Sequence, residues 1–146
     1  ADWVAAANVL GRVPGFGAYG GLLLAGELLP ISRFARPAHL VSYAGLAPRT
    51  SSSGGHTSHG PIPKAANRAV RHALISAVAT HARRAPHSPI TRHYEDLKQR
   101  LGWRKARVAA ARKLARTLYQ MLRTGEVWRE TKGDPNGTEL QHAHVA

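Results

Sequence analysis

Ser51, Ser52 and Ser53 run directly into Gly54-Gly55, with His56 and His59 just beyond. A hydroxyl attacks an electrophile only when something takes its proton and something else stabilises the charge that develops. By composition the segment is a flexible linker, since Ser and Gly dominate such stretches. Its position argues for more. It lies between Tyr43-Ala44-Gly45-Leu46-Ala47-Pro48-Arg49 and Ile62-Pro63-Lys64, and the helix expected next carries Lys64, Arg68 and Arg71 at i, i+4 and i+7, a spacing that shares one face. A serine held against that face suits a phosphodiester, because attack on phosphorus builds negative charge on non-bridging oxygens and cations such as Arg49, Arg68 and Arg71 stabilise it. His56 is a candidate proton shuttle, although nothing in the spacing selects it as the base.

Metal chemistry finds little support. His56 and His59 are three apart, but no further His, Asp or Glu has the spacing of a structural zinc site. Glu95 and Asp96 are the only neighbouring acids in the body of the chain, and adjacent helical positions point about 100° apart, so they do not converge on one Mg²⁺. No metal ligand set is therefore expected here. Cysteine is absent, which removes disulfides, thiolate zinc sites and a cysteine nucleophile. If the chain cuts nucleic acid, a side chain is the nucleophile or another domain brings the metal.

The charge distribution names the partner class. Over 146 residues there are 21 Lys and Arg against 8 Asp and Glu, a formal net charge of +13. No acid occurs between Glu27 and Glu95 or between Leu97 and Gly125, while both windows are rich in cations, Arg112 and Arg116 among those in the second. A solvated face normally mixes both signs, so this bias points to a polyanion. Arg outnumbers Lys by 16 to 5, and the guanidinium fork grips phosphate bidentately. The helices lack the aromatic and Leu-rich face of an interfacial anchor, and the longest apolar stretch runs into Glu27 well short of the roughly 20 residues a span needs. Nucleic acid is the expected partner, with no membrane, in a cytoplasmic setting.

These residues must be positioned by helices. Residues 1–10 read as the end of a helix stopped at Gly11, followed by a turn at Pro14-Gly15-Phe16-Gly17 and a helix over 18–29. The turn resembles a helix-hairpin-helix element, in which Gly15 and Gly17 would expose backbone N–H groups to a phosphate; a plain glycine turn between packed helices fits equally well. A short helix is expected from Pro37 through Tyr43, and residues 50–63 form a polar loop with room for a small hairpin. Long helices should cover 64–84, 89–101 with Ser88 as N-cap, and 103–124 with Gly125 as terminator. The expected core comprises Leu74, Val78, Val108, Leu114, Leu118 and Leu122. Residues 130–146 show no period and read as a disordered tail. The expected fold is all-α, a compact helical domain with a Ser/Gly-rich loop. Position 1 is Ala and the chain opens inside a helix-like run, so a segment of a longer polypeptide is expected.

The order of motifs resembles the C-terminal domain of the insertion-sequence transposases of the one-ten, one-sixteen and nine-oh-two group, which include the bridge-RNA-guided recombinases. The matching features are Val13-Pro14-Gly15-Phe16-Gly17, Ile31-Ser32-Arg33-Phe34, residues 40–49, Ser53-Gly54-Gly55, Ile62, Lys64, Asn67-Arg68, Arg71 and Leu74; residues 110–114 and 119–125 match the closing helix. The resemblance implies serine recombination. The family's nucleophile, the serine directly before Gly, falls on Ser53, with Ser52 and then Ser51 as alternatives. It also implies a RuvC-like N-terminal domain that binds Mg²⁺, expected to lie outside this segment, so the segment alone is expected to be inactive and to carry no cofactor. Further implied are DNA and a structured guide RNA as partners, a homo-oligomer in the full-length protein, and a bacterial, nucleoid-associated setting. On this basis residues 1–12 end a preceding helix, 13–129 form the transposase domain and 130–146 the tail. Two departures stand out: Ala66 occupies a position usually held by Gly, and Pro61 and Pro63 flank Ile62. The alternative reading is a non-catalytic, basic helical module that holds nucleic-acid backbone.

Overall fold

A computed structural model describes residues 3–48 and 66–129, together with the backbone of 51–53 and 56–58. The chain forms α1 (Trp3–Gly11), α2 (Gly17–Leu28), a 3₁₀ turn (Ile31–Arg33), α3 (Pro37–Tyr43), β1 (Ser51–Ser53), β2 (His56–Ser58), α4 (Arg68–Arg84), α5 (Pro89–Leu101) and α6 (Trp103–Thr124). The fold is all-α apart from one antiparallel hairpin, β1 with β2, whose register opposes Ser53 to His56 and Ser52 to Thr57. The expected tail, residues 130–146, lies outside the described residues.

Helix α6 is the hub, packing on α3, α4, α5 and the 3₁₀ turn. Its buried stripe, including Ala110, Leu114, Leu118 and Met121, repeats at helical spacing. Four of the six expected core residues are there: Leu74, Val78, Leu114 and Leu118 are buried. Val108 and Leu122 are only half-buried, packed against the edge of the core. The α6 hydroxyl of Tyr119 donates to the Phe34 carbonyl at 3.0 Å, which ties the hub to the segment before α3.

The helix boundaries follow capping chemistry. Ser88 caps α5 by accepting from the Thr91 N–H at 3.1 Å, with Pro89 in the first turn. Gly125, with φ of 76°, closes α6 in the left-handed conformation. Helix α4 starts later than its apolar spacing predicts. Asn67 is its N-cap, accepting from the Val70 N–H at 3.0 Å, so the helix begins at Arg68. Lys64 consequently precedes the first helical residue, and its placement lies outside the described residues, while Arg68 and Arg71 both lie on α4.

A buried polar spine fastens α4 to its neighbours. The Pro14 carbonyl can only accept, so His81 donates to it from Nδ1 at 2.7 Å, leaving Nε2 to accept from the Ser88 hydroxyl at 2.7 Å. Thr91 donates to the Ala85 carbonyl at 2.6 Å, and the His81 ring meets Trp128 edge-on. Burial holds His81 below its ordinary pKa, opposed in part by the Pro14 hydrogen bond. This serine–histidine pair is enclosed in the core and serves as a structural link.

Candidate nucleic-acid interface

The serine segment lies in sequence between Pro48 and Ala66, and of it only the backbone of the hairpin strands is described. Its two ends are locked together. The Asn67 N–H donates to the Tyr43 carbonyl at 2.7 Å, and the Asn67 Nδ2 donates to Glu27 Oε2 at 2.7 Å and to the Tyr43 hydroxyl at 3.0 Å. Together with the cap to Val70, one amide side chain joins α2, α3 and α4. Glu27 is therefore committed to this lock. Its backbone carbonyl also accepts from Arg33 Nη1 at 3.0 Å, and the Arg33 guanidinium stacks 5.0 Å from the Phe34 ring and 4.8 Å from the Tyr43 ring.

Arg33 remains solvent-exposed, and Arg68, next after the lock, is exposed as well. Arg71 is half-buried with its Nε enclosed and without a hydrogen-bond partner. These three guanidiniums lie close in sequence to the joints of the lock. Ser53 is described only through the hairpin backbone, and Arg49 and Lys64 lie outside the described residues. The sequence alone assigns no role to any of the lock's residues: Arg33, Tyr43 and Asn67 stand only within matching motifs, and Glu27 is marked only as the last acid before a window of 67 residues without one.

The two glycines of the first turn take different roles. Gly15, with φ of 113°, lies so close to α4 that an added Cβ would sit 2.6 Å from the Ala77 carbonyl oxygen. Gly17, with φ of 68°, is exposed with open space around it at the start of α2. Arg112 and Arg116 form a second cluster, along a furrow between α5 and α6 shared with His93, Lys113 and Gln120 and enclosing about 550 Å³. Burial first, and then repulsion from Arg116, lower the Arg112 pKa. His93 is likewise lowered by burial and then by Lys113, against an opposing pull from Asp96. Glu95 and Asp96 pair within α5 with Lys98 at 3.3 Å and Arg100 at 3.0 Å. Among the described residues no three His, Asp or Glu side chains gather as a metal site would require, and no helix is long and apolar enough to cross a membrane.

The arrangement is a polar lock that joins residues on either side of the serine segment, in a helical body whose cations greatly outnumber its acids. Comparison with known proteins identifies the family. The model of the transposase IS116/IS110/IS902 family matches residues 7–95, a span that contains the lock and the hairpin. An insertion element IS110 uncharacterized 43.6 kDa protein from Streptomyces coelicolor is 34% identical over 137 residues, covering 90% of this chain and 32% of that protein. The chain thus spans about a third of that relative's length. With the family match extending over more than half of its residues, the chain belongs to the IS116/IS110/IS902 transposase family.

Proposed function

We propose that this chain is the serine-bearing domain of a DNA transposase, in which Ser53 is the nucleophile of strand exchange and the surrounding guanidiniums hold DNA backbone. The reading is supported by the Glu27–Tyr43–Asn67 lock, which joins residues before and after the serine segment in sequence, with Arg33 stacked on Tyr43 and Arg68 next after Asn67. In the reaction the Ser53 Oγ bonds to phosphorus, a bond from phosphorus to a sugar oxygen breaks, the serine proton passes to a base and the sugar oxygen gains one. The product is again a phosphodiester, so resealing needs no external energy source. His56, opposed to Ser53 in the hairpin register, is the candidate to take the proton. Arg33, Arg49, Lys64, Arg68 and Arg71 stabilise the charge on the non-bridging oxygens, and the open start of α2 at Gly17 offers backbone N–H groups to a further phosphate.

In the same reading the parent polypeptide acts as a homo-oligomer on DNA with a structured guide RNA in the bacterial nucleoid, and Mg²⁺ is held by its RuvC-like domain. Ser53→Ala is expected to leave the unfolding and the DNA affinity of the chain unchanged and to abolish strand exchange by the parent polypeptide. Retained exchange would leave the basic binding module as the better reading.

A further inference from the structure

The body of the molecule carries a second feature that the serine chemistry does not use. At the junction of α5 and α6, Trp103 and Leu101, two positions apart, are each 52% exposed. Trp103 is accompanied by two guanidiniums, Arg104 at 5.2 Å and Arg107 at 5.4 Å from its ring. Arg104 also lines a furrow of about 580 Å³ with Leu97, Leu101, Lys105, Val108 and Arg112. That furrow continues through His93, Ala109 and Arg112 into the one reaching Arg116. From Arg104 to Arg116 is twelve helical residues, about 18 Å at the α-helical rise. Helix α6 contributes seven cations and no acid, and the α5 acids Glu95 and Asp96 are held by their own helix's Lys98 and Arg100. Arg112 and Arg116, four apart, repel each other with no acid between them.

An exposed indole flanked by guanidiniums, one of which, Arg104, also lines an apolar-floored furrow bordered by further cations, matches the way single strands are held: bases stack on aromatic faces while the backbone follows a positive groove. We infer that the α5–α6 furrow binds an unpaired strand of nucleic acid, with one base stacked on Trp103 and the phosphates running past Arg104, Arg112 and Arg116. A paired duplex presents no free base to the indole, so this surface distinguishes unpaired from paired segments. The inference rests on the proposed nucleic-acid function but not on Ser53.

The test measures binding of the chain by fluorescence anisotropy to an unstructured single strand, made as DNA and as RNA, and to a fully paired duplex of the same length. Trp103→Ala should weaken single-strand binding by about 5- to 150-fold, the equivalent of about 1–3 kcal/mol for one stacked base. Duplex affinity and the salt dependence should not change, and Trp103→Phe should restore most of the loss. The tighter of the DNA and RNA arms names the strand. Arg112→Gln with Arg116→Gln should instead reduce the salt slope on single strands by about 1.4, or about 0.7 per phosphate contact. Trp103→Ala binding single strands like the parent, or losing single strand and duplex equally, would overturn the inference. A parent chain that binds no nucleic acid at all would overturn the binding half of the proposed function as well.

Discussion

Asn67 shows how much can depend on one side chain. It caps α4, and its amide donates to both Glu27 and Tyr43. Asp serves as well as Asn at an N-cap, but an Asp here has no N–H for Glu27 and places a second carboxylate beside it. Asn67→Asp is therefore expected to destabilise the chain by about 2–3 kcal/mol, the cost of an unpaired, part-buried polar contact with added repulsion. Asn67→Ser, which keeps the cap, should cost less. Urea unfolding of both variants checks the order, and equal stabilities would mean that the cap alone matters. His81 gives a pH signature. Its folded pKa lies below the ordinary value of about 6.5, so the unfolded chain binds more protons there and this contribution to stability falls as pH drops below about 6.5. The fall in unfolding midpoint between neutral and mildly acidic buffer should be smaller in His81→Gln than in the parent; an unchanged fall would assign the dependence to other groups such as His93.

Among the helices, those with both a sequence cap and a clear stripe were legible: Ser88-Pro89 starts α5, Gly125 ends α6, and both are where chemistry alone predicts. The start of α4 was not, because Ala66 and Lys64 extend its pattern in sequence while the tertiary pull of Glu27 and Tyr43 makes Asn67 the cap. Arg68 and Arg71 keep their places three apart on α4, whereas Lys64 falls before its first residue. The serine motif and the basic character could be read from residues, whereas the lock joins positions up to 40 apart, a pairing no local pattern encodes. The first turn separates two glycines that look alike in sequence. Gly15→Ala combines a positive φ with collision against the α4 backbone and is expected to cost about 2–4 kcal/mol. Gly17→Ala meets open space and should cost only the conformational penalty of about 1–2 kcal/mol. Thermal unfolding compares them, and a Gly17→Ala loss matching that of Gly15→Ala would contradict the packing role given to Gly15.

At the scale of the molecule, one all-helical body presents two cationic regions: the lock with Arg33 and Arg68, and the α5–α6 furrow with Arg112 and Arg116. A net charge of +13 over so small a chain favours backbone contact with nucleic acid, which orients a substrate without reading its bases. Chemistry then depends on whether a nucleophile stands at the hairpin. The most direct measurement traps the protein–DNA adduct formed by the parent polypeptide on its DNA substrate in the presence of Mg²⁺ and maps the modified residue by mass spectrometry. The account predicts a phosphoserine link at Ser53, absent in Ser53→Ala. An adduct at another residue type, or strand exchange sustained by a variant with Ser51, Ser52 and Ser53 all changed to Ala, would contradict it.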